Sequence, residues 1–273
     1  MQLRKILMTI VSILLISMLA ACGTANKQSD QSKKGANPSG SLYDQVKSKG
    51  VLTVGTEGTY PPFTYHDKNG KLTGFDVDIA AEVAKRLGVK PKFVESKWDG
   101  MIAGLDDKRF DMAANEVAIT DQRKQKYDFS SPYIASRAVL IVRKDNHSIK
   151  SFDDIKGKTF AQSLTSNLYK IAQQHGAKIT SVDGFNTAID LLTSNRVDGT
   201  INDNLSYLDL KKRRPDIPIK VVDKMNNATQ NGFMFRKNSG ELINKVNKAL
   251  ADMKKDGTYL KISKKYFGTD VSK

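Results

Sequence analysis

From about Ser41 onward, apolar residues alternate between short runs of strand character and longer stretches at helical spacing. Residues 51–54 (VLTV) read as a short strand ending at Gly55, and residues 92–95 (KFVE) as the next. Between them Asp76 is expected to cap a helix through Ile79, Val83 and Leu87, with Gly88 as its stop signal. Residues 98–105 form a second helical stretch. Residues 138–142 (AVLIV) are a continuous apolar run, the pattern of a strand covered on both faces. A further series follows: strands at 159–161, 178–180 and 199–201, with helices at about 167–175 and around 188–192. Ile243, Val246, Leu250 and Met253 then repeat at helical spacing up to Gly257, and Thr258 opens a last helix carrying Leu260, Ile262 and Tyr266. The alternation predicts an α/β fold of mainly parallel sheets covered on both faces by helices. It contains no short-period repeat.

Composition narrows the class. The 273 residues are 39% hydrophobic, enough for a real core, which excludes disordered, collagen-like and cysteine-stapled chains. The length suits one large or two modest domains. One cysteine makes neither an internal disulfide nor a CxxC zinc site, and the three histidines lie far apart, so no metal or cofactor is expected. The net charge of +15 raises the question of nucleic acid. The lysines are scattered, often beside acids, as in Lys85-Arg86 after Glu82. The densest runs, Lys211-Lys212-Arg213-Arg214 and Lys264-Lys265, are short and lack the glycine-aromatic modules of RNA binders. The expectation is a solvated basic surface suited to an anionic cell envelope, with no nucleic-acid partner.

The N-terminal segment addresses location. Arg4 and Lys5 precede an apolar stretch from Ile6 to Met18, followed by Leu19-Ala20-Ala21-Cys22. That order describes an export signal, and Leu-Ala-Ala-Cys resembles the lipobox of bacterial lipoproteins. The resemblance implies a signal peptide at 1–21 and a diacylglyceryl group on Cys22, hence lipid anchoring on the extracellular side of the cell membrane. As a transmembrane span the stretch is short, about 24 Å against a hydrocarbon core of about 30 Å. Residues 22–40 hold almost nothing apolar and read as a flexible tether. Removing residues 1–21 takes away Arg4 and Lys5 and no acid, lowering the net charge from +15 to +13.

The motifs decide more than the alternation does. The stretches Val54-Gly-Thr-Glu-Gly-Thr-Tyr-Pro-Pro-Phe63, Gly74-Phe-Asp-Val-Asp78, Ile119-Thr-Asp-Gln-Arg123, Asp128-Phe-Ser-Ser-Pro-Tyr133 and the closing Gly257-Thr-Tyr…Tyr266-Phe-Gly268 resemble polar amino-acid-binding proteins of ABC importers. The likeness covers about Ser41 to Thr269. It implies a two-lobed periplasmic-binding-protein-like (type II) fold: lobe 1 from 41–134 plus 233–273, lobe 2 from 138–228, and crossings at 135–137 and 229–232. The implied partners are a free amino acid and a membrane permease, with the protein acting as a monomer.

A free amino acid requires a cation for its carboxylate and an anion for its ammonium. Arg123 matches the family arginine, whose planar guanidinium can give a carboxylate two parallel hydrogen bonds, and Thr120 is expected to cap its helix. Asp203 matches the lobe-2 aspartate that takes the ammonium and follows a strand end, where open α/β sheets place ligands; Asp198 and Asn202 are rivals a few positions away. Thr165 and Ser166 precede a helix and offer amides and hydroxyls at its positive end, or simply cap it. Trp98 and Tyr60 align with aromatics that wall the cleft, whereas Tyr133 reads as packing beneath the crossing strands. Asn115-Glu116-Val117 resembles the cystine-binding branch, with backbone groups of Glu116 and Val117 available to the ammonium; Ala118 lacks the hydroxyl that many relatives carry there. Glu57 stands where an acid often meets the ligand side chain. Cystine has a second ammonium that Glu57 or Glu116 could complement, although the same acids suit a basic or amide side chain. No catalytic residue is expected. A dehydratase-like enzyme or a sensor on this fold is the alternative, and it would need a proton-transfer group beyond Glu57 and Glu116.

Overall fold

The structure is a computed structural model that describes residues 40–273. The expected signal peptide, Cys22 and nearly all of the tether lie outside these residues. The first helix, α1 (Leu42–Lys49), opens with a capping box: the Ser41 hydroxyl accepts from the Asp44 N–H, and Asp44 returns the bond to the Ser41 N–H.

One five-stranded sheet has the order β5 (Lys90–Glu95), β1 (Val51–Thr56), β6 (Met112–Ala113), β15 (Met234–Arg236), β7 (Tyr127–Phe129). The second repeats the plan as β11 (Lys178–Ser181), β10 (Thr159–Gln162), β12 (Gly199–Asp203), β9 (Ala138–Arg143), β13 (Ile219–Lys224). In each sheet four strands share a direction and one is reversed, β15 in the first and β9 in the second. The reversed strands are the ones entered from the two crossings. β8 (Ile134–Ser136) leads into β9, and β14 (Thr229–Asn231) leads into β15. β8 and β14 pair antiparallel, Ile134 opposite Asn231 and Ser136 opposite Thr229, so the chain passes between the lobes on a two-stranded ribbon.

Both faces of each sheet are covered, and the alternation of side chains shows how. In β9, Val139 and Ile141 join an apolar cluster with α6 (Phe185–Thr193), while Ala138, Leu140 and Val142 join another with Phe160 and α5 (Asn167–Gln174). That explains the unbroken AVLIV run. In lobe 1, Met112 and Phe235 face one cluster and Ala113 and Met234 the other. The first contains α2 (Phe75–Arg86) and α8 (Gly240–Lys255), the latter burying Leu242, Ile243, Val246, Leu250 and Met253 as its spacing predicts; the second contains α3 (Trp98–Asp106). A small sheet, β2 (Thr59–Tyr60), β3 (Thr64–His66) and β4 (Leu72–Thr73), stands beside lobe 1.

The reading of Asp76 as a helix cap is overturned. The helix starts at Phe75 with Gly74 in the capping position at φ 134°, and a Cβ on Gly74 would lie 2.1 Å from the Phe63 carbonyl oxygen, so only glycine fits. Asp76 is fully buried one residue further on, accepting from the Tyr133 hydroxyl at 2.9 Å and from the Glu116 N–H. Burial pushes its carboxyl up to about 7. Tyr133, fully buried and 4.4 Å from Phe233 between ring centroids, packs beneath the crossing strands as expected.

Candidate functional site

The lobes meet around a cleft lined by residues of both lobes and of the crossing strands. Lobe 1 supplies Glu57, Tyr60, Trp98, Asn115 and Glu116; lobe 2 supplies Ser166, Phe185, Asn202 and Asp203; the crossing ribbon supplies Ser136, Thr229 and Asn231. Of the residues singled out from sequence, Glu57, Tyr60, Trp98, Asn115, Glu116, Ser166 and Asp203 line the cleft. Val117, Arg123 and Thr165 do not.

Glu57 follows β1 and is tied to Asn115 twice: its N–H donates to Asn115 Oδ1 at 2.9 Å, and Asn115 Nδ2 donates to Glu57 Oε2 at 3.1 Å. Burial raises its carboxyl to about 7, against the opposing effect of bonds from Asn115 and Thr59. Glu116 has a left-handed backbone, φ 48°, unusual for a side-chain-bearing residue, and its N–H is held by Asp76. Its carboxyl accepts from the Tyr60 hydroxyl at 2.9 Å and the Ser136 hydroxyl at 3.1 Å. The same Tyr60 oxygen lies 2.8 Å from Asn202 Oδ1 of lobe 2.

Asp203 ends β12 and caps α7 (Asn204–Arg213), accepting from the Leu205 N–H at 2.8 Å. Burial, and then the neighbouring Asp203 charge, push Glu116 well above the usual carboxylate range, and burial raises Asp203 too. Three carboxylates therefore face the cleft, and no Lys, Arg or His is among its lining residues. Of the two rivals to Asp203, Asn202 shares the cleft, whereas Asp198 sits at the other end of the strand, accepting from the Thr159 N–H.

Arg123 lies behind the wall. Its helix, α4 (Asp121–Lys126), is capped by Thr120 as predicted. The buried guanidinium sits 5.3 Å from the Trp98 ring centroid and donates to the Ala118 carbonyl at 2.9 Å and the Thr165 carbonyl at 3.2 Å. Burial lowers it to about 10, and no acid offsets that shift. Trp98 Nε1 is buried without a hydrogen-bond partner, the one such side-chain atom among the described residues. Ser166 caps α5, accepting from the Tyr169 N–H at 2.9 Å. Thr165 instead turns to Asp99 of lobe 1, its hydroxyl 2.7 Å from Asp99 Oδ1. Lys97 pairs with Asp183, and Asn186 Nδ2 donates to the Thr59 carbonyl at 3.0 Å, so the lobes are in contact around the cleft.

Sequence reasoning missed Ser136 and Asn231 as cleft residues, and named Asn202 only as a rival to Asp203. The signal was present for the first two: polar side chains on the crossing strands face the floor between the lobes. Among the described residues no group of His, Cys, Asp and Glu is placed to hold a metal ion, and no helix is long and apolar enough to cross a membrane.

Residues 52–269 match the model of the bacterial extracellular solute-binding proteins, family 3. The chain belongs to that family. It is therefore an exported solute-binding protein. The L-cystine-binding protein TcyA of Bacillus subtilis is 52% identical over 99% of this chain and 100% of the relative. An ancestral arginine-binding protein bound to arginine superposes with a TM-score of 0.76 at 43% identity, over 80% of this chain and 99% of that one. The L-cystine solute receptor of Neisseria gonorrhoeae, unliganded and open, gives 0.58 at 44% identity, over 86% of this chain and all of the receptor. At nearly equal identity the arginine-bound structure is the better match, in keeping with lobes that touch in this chain.

Proposed function

We propose that this protein captures L-cystine outside the cell and delivers it, unchanged, to an ABC permease. The observation that carries the reading is the cleft's three carboxylates, Glu57, Glu116 and Asp203, with no cationic side chain lining it. Such a site is incomplete until a ligand brings positive charge, and cystine brings two ammonium groups separated by an apolar disulfide. Asp203 and Glu116 take one ammonium and Glu57 takes the distal one. Arg123 takes the α-carboxylate, exchanging the Ala118 and Thr165 carbonyls for a charged acceptor that its fork fits better. The 52% identity to TcyA supports the choice of cystine.

The rest of the reading concerns anchoring and movement. A lipid on Cys22 holds the monomeric protein to the outer surface of the cell membrane, with 22–40 as tether. Residues 135–137 and 229–232 act as the hinge on which 138–228 closes against 41–134 and 233–273. Calorimetric titration with cystine, arginine and glutamine tests the ligand. Cystine is expected to bind most tightly and to be recovered intact after prolonged incubation; tighter binding of arginine or glutamine, or conversion of cystine, would sink the proposal.

A further inference from the structure

Gly184 holds the capping position before α6 at φ 152°, lines the cleft from lobe 2, and faces Glu57 of lobe 1. A Cβ at this position would lie 2.9 Å from Glu57 Oε1, closer than such atoms come in real structures. The carboxylate cannot swing aside at no cost. Its Oε2 holds Asn115 Nδ2 at 3.1 Å, and its Oε1 lies 3.4 Å from the Thr59 hydroxyl. The start of α6 is also fixed against the same segment, since Asn186 Nδ2 donates to the Thr59 carbonyl. A side chain at 184 would therefore displace the tip of the acid from its bonds to Asn115 and Thr59, in the place where the ligand meets it.

We propose that Gly184 is a positioning residue for ligand selection: its missing side chain leaves the Glu57 carboxylate free to receive the ligand's distal ammonium when the lobes are together. The proposal rests on the reading of Glu57 given above, and it adds that lobe 2 enforces that selection through a residue with no side chain. A backbone requirement at φ 152° alone would affect every ligand alike; positioning of Glu57 affects only ligands with a second ammonium.

The test uses two probes, L-cystine and the mixed disulfide of L-cysteine with 3-mercaptopropionate, which keeps the disulfide and both carboxylates but lacks the distal ammonium. Gly184→Ala is expected to weaken cystine binding by about tenfold or more, and the mixed disulfide by less than about threefold. Adding Glu57→Asp, which shortens the acid by one methylene, should recover at least about threefold of the cystine loss. Equal weakening of both probes, no weakening of either, or no recovery with Glu57→Asp overturns the proposal. Glu57→Gln alone separates the two layers. If it fails to discriminate between the probes, the Glu57 reading is wrong; if it discriminates and Gly184→Ala does not, only the role of Gly184 is wrong. Should Gly184→Ala fail to fold by circular dichroism, Glu57→Ala/Gly184→Ala decides: a folded double variant supports the contact, and an unfolded one assigns Gly184 to the backbone alone.

Discussion

Changing pH across neutrality changes what the cleft offers a cationic ligand, because burial holds Glu57 near 7. At pH 7 about half of these side chains carry a proton in the empty protein. An ammonium against the carboxylate favours its ionised form, so binding should release about half a proton from this residue. Titrating cystine at pH 7 in buffers of different ionisation enthalpy, phosphate and Tris for example, gives the number released as the slope of observed enthalpy. We expect a slope of about 0.5 or more, falling by about 0.5 in Glu57→Gln. Cystine affinity should also weaken as pH drops below 7. Stability moves the opposite way. Glu57 and Asp76 both rise to about 7, from 4.5 and 3.8, so the stability they contribute is fully present below those unfolded values and lost as pH rises through about 7. The Glu57 shift is worth about 3 kcal/mol and that of Asp76 about 4 kcal/mol. The empty protein should therefore melt at lower temperature at pH 8 than at pH 5. Saturating cystine should recover the share of Glu57 but not that of Asp76, which does not line the cleft. A zero slope in the wild type, or an unchanged slope in Glu57→Gln, refutes the reasoning.

Four further outcomes are expected. Arg123→Lys keeps the charge but loses the planar fork, Asp203→Asn keeps the shape but loses the charge, and each should cost about 2–5 kcal/mol of binding. By calorimetry that is roughly 30-fold to several thousand-fold, similar for every amino acid bound, and a loss under about threefold for both would misplace the clamp. Gly55→Ala and Gly199→Ala put a Cβ 2.4 Å from Phe110 and 2.5 Å from Phe160, and urea unfolding should show a loss of about 1–3 kcal/mol in each. Saturating cystine should lower the radius of gyration in small-angle scattering relative to the empty protein, without a change of oligomeric state. Cys22→Ala should abolish incorporation of labelled lipid; persistent labelling removes the anchor assignment.

The fold was legible where burial dictates the pattern. The AVLIV run and the spacing of Ile243, Val246, Leu250 and Met253 each report a surface that must leave water, and both elements appear where the pattern puts them. Asp76 was misread because an aspartate ahead of an apolar periodicity is the usual sign of a cap, and sequence spacing cannot reveal that Gly74 approaches the Phe63 carbonyl too closely for any side chain. The two-residue strands were invisible for a different reason: they are too short to carry a pattern, β6 being defined by pairing with the distant β1 and β2 by a hairpin with β3. At the site, motifs located the acids and the arginine, but not that Trp98 stands between the cleft and Arg123. That depends on side-chain packing, to which spacing is blind.

The arrangement of acids makes the proposed closure depend on ligand. Glu116 belongs to lobe 1 and Asp203 to the last residue of a lobe-2 strand, so bringing the lobes together brings two carboxyls together in a site poor in water. Both are raised by burial, Glu116 further by the Asp203 charge, so the pair favours holding a proton over two charges side by side. An empty cleft that closes as proposed therefore favours a proton held on this pair, whereas an ammonium placed between the acids supplies hydrogen-bond donors and opposite charge together. The remaining lobe contacts do not discriminate in this way. The Lys97–Asp183 pair is largely exposed, 73% and 61%, and such pairs contribute about 0–1 kcal/mol whether or not a ligand is present. A ligand shifts an equilibrium only by its differential affinity for the two states. In the proposed closure that difference resides in the cleft acids, which come together without a counter-charge when the cleft is empty and meet one when the ammonium groups arrive.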